Sequence, residues 1–362
     1  MNKKIFIHVG PPKTGTSAIQ LALLQARDDL LQLGINYPSH CLGANGISSG
    51  NLESILSLDC DGKWQVSDEK VRNLLEDFKS SKQHTLILSS EYYFYLVGEI
   101  ATLIPSAKFI AYIRCPLETF ESSYNQSVKR HMRSSPAPFS QNLHTTTIDI
   151  LSENIEVVGA NRFILRAYLP FSVDGYNLVE DFYSVFGLEA MSVDKRSTNN
   201  SYAFEALEFK RWINQFSFIE IDHLIDEALQ EYSHGKFGSS LLPSELFERY
   251  QKQALIKVRD FVYSNRVFNG KDLIGYMQNR VNLQNTNQFL SDAGFVKVCE
   301  FLLQRDPLMY EGICNALSKL QKIRSVDHPQ RIDILLSDVE RNISFISRLK
   351  TILNTLQSGL FK

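Results

Sequence analysis

The chain has 362 residues, of which 44% are apolar, and a formal net charge of −2. A composition of this kind can form a sizeable buried core in one or two domains. The nearly neutral charge excludes a strong overall field that would attract nucleic acid or an anionic membrane, so any anion site must be a local group of basic residues. We therefore expect no nucleic-acid partner.

The cysteine content and the N-terminal residues indicate the cellular compartment. The five cysteines are odd in number, scattered and without the spacing of a metal site, which is typical of a reducing compartment. The apolar run near the N-terminus, residues 5–9, is too short for a signal peptide, and no run approaches the length of a membrane span. We expect a cytoplasmic protein without a transmembrane segment.

The first feature along the chain is IFIHVGPPKTGTSAIQ, residues 5–20. Its apolar run predicts a buried strand over 5–9. A turn rich in Gly and Pro follows, and then a helix over 16–33 that ends at Gly34. Strand, tight loop and helix N-terminus in this order can hold a phosphate with backbone N–H groups and the helix dipole.

The position of the lysine decides which kind of phosphate loop this is. A nucleotide triphosphatase loop has Lys directly after its second Gly. Here Gly10 and Gly15 have that spacing, but Thr16 stands at the lysine position and the lysine is Lys13. A lysine inside the loop is placed to reach the bond just beyond a 5′-phosphate, which weakens the triphosphatase interpretation.

The remaining elements alternate. A loop rich in Gly, Ser and Asn over 39–52 is typical of a lid or substrate rim. Further along we predict a helix over 71–79, strands over 85–88, 108–113 and 163–166, a helix over 178–186, and only helices beyond about residue 200. Alternating strands and helices predict an α/β fold with a central parallel sheet flanked by helices, followed by an all-helical C-terminal region.

Arg114 and Ser122 form a second candidate anion site. Arg114 stands at the carboxyl end of the predicted strand 108–113, where open α/β sheets bind ligands. Pro116 then begins a helix, and Ser122 lies in its second turn, off the apolar stripe. The two side chains can meet on one phosphate. Taken singly, Arg114 could instead form a structural ion pair and Ser122 could be a solvated helix serine.

These strings resemble known sulfotransferase sequences. PPKTGTS resembles the 5′-phosphosulfate loop of sulfotransferases that use 3′-phosphoadenosine 5′-phosphosulfate (PAPS), and HVGPPKTGTSAIQ resembles their bacterial branch. YIRCPLETFESSY resembles the 3′-phosphate motif of that family, with the same interval between Arg and Ser, although Cys115 replaces the usual Asp. The resemblance covers about residues 1–270 and implies a PAPS-binding phosphate loop.

The resemblance implies a set of cofactor contacts. No metal is expected, because Lys13 already supplies the positive charge and no Asp follows in a position to hold Mg²⁺. A segment over 195–201 resembles the family's N-x-S segment, although Asn200 or Ser201 could simply cap a helix. The implied residues that contact PAPS, or its product 3′-phosphoadenosine 5′-phosphate (PAP), are Pro12, Lys13, Thr14, Gly15, Thr16, Ser17, Arg114, Ser122, Arg196 and Asn199.

Two catalytic roles follow from the chemistry. Sulfuryl transfer builds negative charge on the leaving bridging oxygen, and Lys13 is the cation expected to neutralise it. Glu91 directly follows the strand 85–88, as a carboxylate does in carbohydrate sulfotransferases, and is the expected general base. It could instead cap a helix or form a salt bridge. His131, in a basic tract over 129–133, is the alternative base, whereas His8 in the first strand is expected in the core.

We predict a sulfotransferase domain over 1–270, with an α/β core over 1–195 and a helical cap over 196–270, and a helical extension over 271–362. The extension carries an apolar stripe that is open to two interpretations: a helix packed on its own domain, or a helix that binds a second copy in a homodimer or another partner. The stripe comprises Ile332, Leu335, Val339, Ile343, Ile346, Leu349, Leu353 and Leu356.

The predicted function is PAPS-dependent transfer of a sulfuryl group to a hydroxyl, with a carbohydrate acceptor expected by family analogy alone. Two alternatives stay open. An ATP-dependent P-loop kinase is disfavoured by the position of Lys13 and by the lack of an obvious Asp for Mg²⁺. A non-catalytic nucleotide- or anion-binding module would place Glu91 in a buried salt bridge.

Overall fold

The computed structural model describes residues 3–43, 48–189, 191, 202–216, 218, 220–238, 240–320 and 326–337. These residues form two compact units, each made of segments that are separated in sequence. Unit 1 comprises Met1–Ser123, Ser140–Thr198 and Ser244–Val281, and unit 2 comprises Tyr124–Phe139, Asn199–Pro243 and Asn282–Lys362. The division into domains at residue 270 stays a prediction.

A parallel sheet lies at the centre of unit 1. Its five strands stand in the order β2-β5-β1-β6-β7, and every neighbouring pair is parallel. A separate antiparallel hairpin is formed by β3 and β4. The strands are β1 Lys4–His8, β2 Ile35–Asn36, β3 Leu56–Leu58, β4 Trp64–Val66, β5 Thr85–Ser89, β6 Lys108–Ile113 and β7 Phe163–Ala167. The predicted α/β class with a central parallel sheet is confirmed.

Helices flank the sheet and make up the described C-terminal region, as predicted. They are α1 Thr16–Gln25, α2 Arg27–Gln32, α3 Asp68–Ser80, α4 Val97–Leu103, α5 Pro116–Arg130, α6 Thr146–Val158, α7 Leu178–Ser184, α8 Phe204–Ile213, α9 Asp222–Glu231, α10 Ser244–Asn265, α11 Gly270–Asn279, α12 Asp292–Arg305 and α13 Pro307–Leu320. Of the predicted apolar stripe, Ile332 and Leu335 are buried. Its members from Val339 onward lie outside the described residues.

The predicted helix over 16–33 was wrong in one respect, because the chain forms two helices there. Ala26 leaves the helical region with φ −87° and ψ 8°, and its N–H bonds to the carbonyls of Ala22 and Leu24. Asp28 and Asp29 then occupy the first turn of α2, where the helix dipole favours negative charge. The short strands β2, β3 and β4 were missed because two or three residues are too few to show a period.

One face of the sheet is closed by α1 and α7. Ile19 and Leu23 of α1 and Phe182 of α7 are fully buried against Ile87 and Tyr112 of the strands. The strand interiors are buried on both sides, which is why they read as continuous apolar runs in the sequence. This packing sets the helix that follows β1 firmly against the sheet.

The strand register brings three strand ends together. His8 is level with Ser89 of β5, and the N–H of Val9 bonds to the carbonyl of Ile110 in β6. Strand β1 thus lies between β5 and β6, and the chain crosses from one side of β1 to the other between those two strands. Such a switch in strand order is where open α/β sheets form a binding crevice.

Unit 2 contains α8, α9, α12 and α13 around an aromatic core. Phe209, Trp212 and Phe295 lie with ring centroids 5.0–6.5 Å apart. Lys210 is fully buried and forms an ion pair with Asp222. Within the described part of the chain, no helix combines the length and the apolar character needed to cross a membrane.

Candidate phosphate-binding and catalytic site

The loop between β1 and α1 is held in a tight turn by its own backbone. Gly10, Lys13 and Gly15 all have positive φ, of 38°, 68° and 77°. Thr14 closes the turn, because both its N–H and its hydroxyl bond to the carbonyl of Pro11, at 3.3 and 2.6 Å. Positive φ is costly for a non-glycine residue, so Lys13 is held in a strained conformation, as is common at binding sites.

The two loop glycines allow close approach. A Cβ atom on Gly10 would lie 2.5 Å from Thr16 Cγ2, and one on Gly15 would lie 2.2 Å from Leu178 Cδ2. Side chains at either position would therefore push the loop away from α1 or from α7. The glycines that defined the sequence pattern are required by this packing as well as by their φ angles.

Helix α1 begins directly at the loop with its positive end uncapped by a side chain among the described residues. Its first turn, which starts with Thr16 and Ser17, contains no acidic residue. The Thr16 hydroxyl is buried and lies near enough to the Glu91 carboxyl group to lower its pKa, but within the described residues it makes no hydrogen bond of ordinary geometry. A helix N-terminus beside a buried hydroxyl is suited to an anion.

Arg114 ties the end of β6 to the loop. Its Nη1 donates a hydrogen bond of 2.7 Å to the carbonyl oxygen of Lys13, and its Nε donates one of 3.0 Å to Glu118. The guanidinium also lies 4.6 Å above the ring of Tyr168, which follows β7. The ion pair that we considered as the alternative for Arg114 is formed, and it holds the guanidinium beside the loop.

Ser122 lies on the same helix face as the ion-pair partner of Arg114. It follows Glu118 by four residues in α5, so the two side chains are neighbours along the helix. Ser122 is half-buried. The joint contact of Ser122 and Arg114 with one phosphate stays a prediction.

Glu91 follows β5 and lies near the loop. Burial raises the pKa of its carboxyl group, while the positive charge of Lys13 and the nearby Thr16 hydroxyl lower it. Much of the residue is also exposed, so water moderates the shift. A carboxylate that faces a lysine and has a raised pKa is suited to accept a proton.

Residues of the preceding loop form hydrogen bonds with the chain just before Glu91. Asn51 accepts a hydrogen bond from the N–H of Ser89 at 2.8 Å and donates its own N–H to the Ser89 carbonyl at 3.1 Å. The Ser90 hydroxyl donates to the carbonyl of Ser49 at 3.0 Å. The predicted loop over 39–52 is thus anchored, at its described end, to the strand that positions Glu91.

Sequence reasoning missed several supporting residues. Glu118 could have been found from its i, i+4 spacing to Arg114, and Tyr168 from its place after β7. Gln20, one turn after Thr16, is buried with its amide nitrogen unpartnered among the described residues. Asn51 had no local signal, because its partner Ser89 is 38 positions away.

The other predicted residues fall in three places. His8 is fully buried, bonds to the Ser89 hydroxyl at 2.8 Å, and has its pKa lowered to about 3 by burial, as befits a core histidine. His131 is exposed in unit 2, just after α5. Arg196 and Asn199 lie outside the described residues.

Over the part of the chain that is described, no group of three His, Cys, Asp or Glu side chains is arranged to hold a metal ion.

The fold and this site define an α/β protein with a candidate anion-binding loop at the switch point of its sheet. No family model matches the chain, and no match was found among curated proteins. Among solved structures, the chain is similar to a crystal structure of a sulfotransferase from Alicyclobacillus acidocaldarius. The TM-score is 0.37 at 16% identity, over 66% of this chain and 98% of that chain.

Proposed function

We propose that the chain is a PAPS-dependent sulfotransferase. The observation that carries the proposal is the convergence of Lys13, Arg114 and Glu91 at the adjacent ends of β1, β6 and β5. Lys13 and Arg114 share a hydrogen bond, and the charge of Lys13 acts on Glu91. A cation, a phosphate-gripping guanidinium and a base are what transfer of a charged sulfuryl group to a hydroxyl needs.

The residues fit the cofactor at the 5′-phosphate end. The buried hydroxyl of Thr16, the N-terminus of α1 and the loop N–H groups are the donors that a phosphate takes. The residues proposed to hold this phosphate are Pro12, Lys13, Thr14, Gly15, Thr16 and Ser17. When bound, the cofactor supplies the activated sulfuryl group.

Arg114 and Ser122 are proposed to hold the 3′-phosphate. The two contacts of Arg114 to Lys13 and Glu118 use two of the five N–H donors of a guanidinium, so it retains the capacity to bind a phosphate. Arg196 and Asn199 are proposed as further contacts on the strength of the sequence resemblance alone.

Lys13 and Glu91 are proposed to have different catalytic roles. The Lys13 ammonium is proposed to stabilise the charge that develops on the leaving bridging oxygen, and no metal is required for that role. The Glu91 carboxylate is proposed to take the proton from the acceptor hydroxyl. His131 remains the alternative base.

The acceptor is proposed to be a carbohydrate hydroxyl by the sequence resemblance, and the site of action the cytoplasm. The kinase alternative would require ATP and magnesium. The binding-module alternative expected Glu91 in a buried salt bridge, whereas part of the Glu91 residue is exposed, even though its carboxyl group is desolvated enough for burial to raise the pKa. This exposure supports a role in which Glu91 meets an incoming molecule.

Calorimetry tests the cofactor. We would titrate PAP and ATP, each without magnesium, into the wild-type chain and into Arg114→Ala. The expected result is tight binding of PAP, weak binding of ATP, and a loss of PAP affinity of about 10-fold or more in the variant, because charge-assisted phosphate contacts are removed. Arg72→Ala, an exposed arginine of α3, is the matched control and should bind PAP normally.

Preference for ATP in the wild-type chain would overturn the proposal in favour of a kinase. Equal loss of PAP affinity in Arg114→Ala and Arg72→Ala would show that only overall charge matters. Tight PAP binding with unchanged turnover in Lys13→Ala would leave the binding-module alternative.

A further inference from the structure

Exposed aromatic side chains follow Glu91 directly. Tyr92 and Tyr95 are 47% and 61% exposed and begin and end a 3₁₀ turn, Tyr92–Tyr95. In a 3₁₀ helix, residues i and i+3 lie above one another on the same face. The two tyrosines therefore present their rings on one side of this turn, which directly follows Glu91 in the chain.

A third aromatic ring extends this surface from the β3–β4 hairpin. The ring of Trp64 lies 6.1 Å from the ring of Tyr92, with an interplanar angle of 61°. Trp64 is half-buried and pairs across the hairpin with Leu58, which is 54% exposed. A single exposed aromatic residue is ordinary, but adjoining ones with an aliphatic neighbour form an apolar surface on which a ligand can pack.

The surface is linked to the candidate base. Burial, together with the negative charge of Glu91, raises the pKa of the Tyr95 phenol, which is protonated at neutral pH. The hydroxyl of Tyr95 can then donate a hydrogen bond to an oxygen that also approaches Glu91. We call Trp64, Tyr92 and Tyr95 the aromatic rim.

Resting on the sulfotransferase function proposed above, we propose that the aromatic rim binds the acceptor and selects one whose reacting hydroxyl is carried on a ring with a flat apolar face. Such a face, of a sugar or of a phenol, packs on the exposed rings of Trp64 and Tyr92 while its hydroxyl edge reaches Tyr95 and Glu91. A flexible alkyl alcohol offers no flat face and gains little from the rim.

Saturation-transfer NMR on the PAP-loaded, full-length chain tests this with three probes: methyl β-D-glucopyranoside, phenol and 1,6-hexanediol. We expect one or both ring probes to bind and the acyclic diol not to bind. Trp64→Ala and Tyr92→Ala should each weaken binding of the ring probe by about 5-fold, the size expected of one aromatic contact. Comparison of the glucopyranoside with phenol then shows whether the acceptor ring is a sugar or a phenol.

Tyr263→Ala is the matched control, because Tyr263 is an equally exposed tyrosine on α10 of the same unit. It should leave ring-probe binding unchanged. PAP affinity, measured by calorimetry on each variant, should also be unchanged, which verifies that the variants are folded.

The inference fails if neither ring probe binds, if the diol binds as well as the ring probes, or if the Trp64 and Tyr92 variants match Tyr263→Ala. Tight PAP binding together with any of these results would leave the proposed cofactor standing. Conversely, rim-dependent binding of a ring probe by a wild-type chain that does not bind PAP would overturn the sulfotransferase proposal and keep the aromatic rim as a binding site.

Discussion

The guanidinium of Arg114 donates a 2.7 Å hydrogen bond to the carbonyl oxygen of Lys13, across 101 positions of sequence. The bond joins the end of β6 to the loop that follows β1. Because it is made to the backbone of a residue with a φ of 68°, it helps to hold the loop in a conformation that a lysine seldom adopts. The residue proposed to bind one phosphate therefore also shapes the loop proposed to bind the other.

Replacing Arg114 by Lys should separate geometry from charge. A lysine keeps the positive charge but lacks the planar fork that reaches the Lys13 carbonyl and Glu118 together. We expect PAP affinity to fall about 10-fold or more in Arg114→Lys, as measured by calorimetry. Glu118→Gln keeps an oxygen for Arg114 and removes a negative charge, so its PAP affinity should not fall. A normal affinity in Arg114→Lys would mean that only the charge is needed.

Two substitutions of Lys13 should differ in stability but not in activity. Lys13→Ala and Lys13→Gly both remove the ammonium group, so each should lower kcat for PAPS-dependent transfer about 100-fold or more. Only glycine relieves the positive φ, so Lys13→Gly should be about 0.5–1 kcal/mol more stable than Lys13→Ala in urea unfolding. Equal stability of the two would show that the loop relaxes without strain.

Glu91 should make stability depend on pH in a definite direction. Its pKa is raised in the folded chain, so between the unfolded and folded values the folded state binds more protons and stability falls as pH rises. Glu91→Gln should therefore be more stable than the wild-type chain at neutral pH, and the difference should vanish below the ordinary glutamate pKa of about 4.3. Urea unfolding at both pH values measures it. A difference that grows on acidification would contradict the raised pKa.

The same carboxyl group should shape the activity profile. A base works only when it is deprotonated, so kcat should decline as pH falls through the raised pKa of Glu91. Thr16→Val removes a hydroxyl that lowers this pKa, and the acidic limb of its profile should move to higher pH. An unmoved limb would indicate that another group, such as His131, is the base.

Alanine substitutions of Gly50 and Gly62 should show how tightly the loop that contains Gly50 packs against β5. Both have positive φ, 76° and 74°, but a Cβ on Gly50 would lie 1.8 Å from the Ser89 carbonyl oxygen, whereas none of the described atoms lies within 4 Å of one on Gly62. Gly62→Ala should cost about 1 kcal/mol of unfolding free energy from φ alone, and Gly50→Ala about 3 kcal/mol or more. Similar losses would show that the loop can move away from β5.

The buried pair of Arg166 and Asp181 should support the sheet and not the chemistry. Asp181 accepts hydrogen bonds from Arg166 at 2.6 and 2.8 Å and from the Tyr112 hydroxyl at 2.8 Å. Asp181→Asn should destabilise the fold by about 3 kcal/mol, because it leaves the buried guanidinium without its countercharge. The double variant Arg166→Met, Asp181→Leu should recover part of that loss in urea unfolding. PAP affinity should be retained in the double variant.

The sequence was most informative where an interaction is local. The order of strand, glycine-rich loop and helix was readable in residues 5–20, because each element depends on neighbours a few positions away. The break at Ala26 was not readable, because both flanking segments carry the same apolar spacing. The hairpin that presents Trp64 was missed for lack of length, and with it the aromatic rim.

By itself, the sequence determined the parallel α/β class, the tight glycine-bounded loop around Lys13 and the place of Arg114 and Glu91 at strand ends. These depend on side-chain periodicity, turn chemistry and the alternation of elements along the chain. Only the tertiary structure decided that β1 lies between β5 and β6 and so brings Glu91 and Arg114 to Lys13. Strand order is set by which apolar faces pack together once the chain has closed, and residues far apart in sequence carry no local signal of that choice.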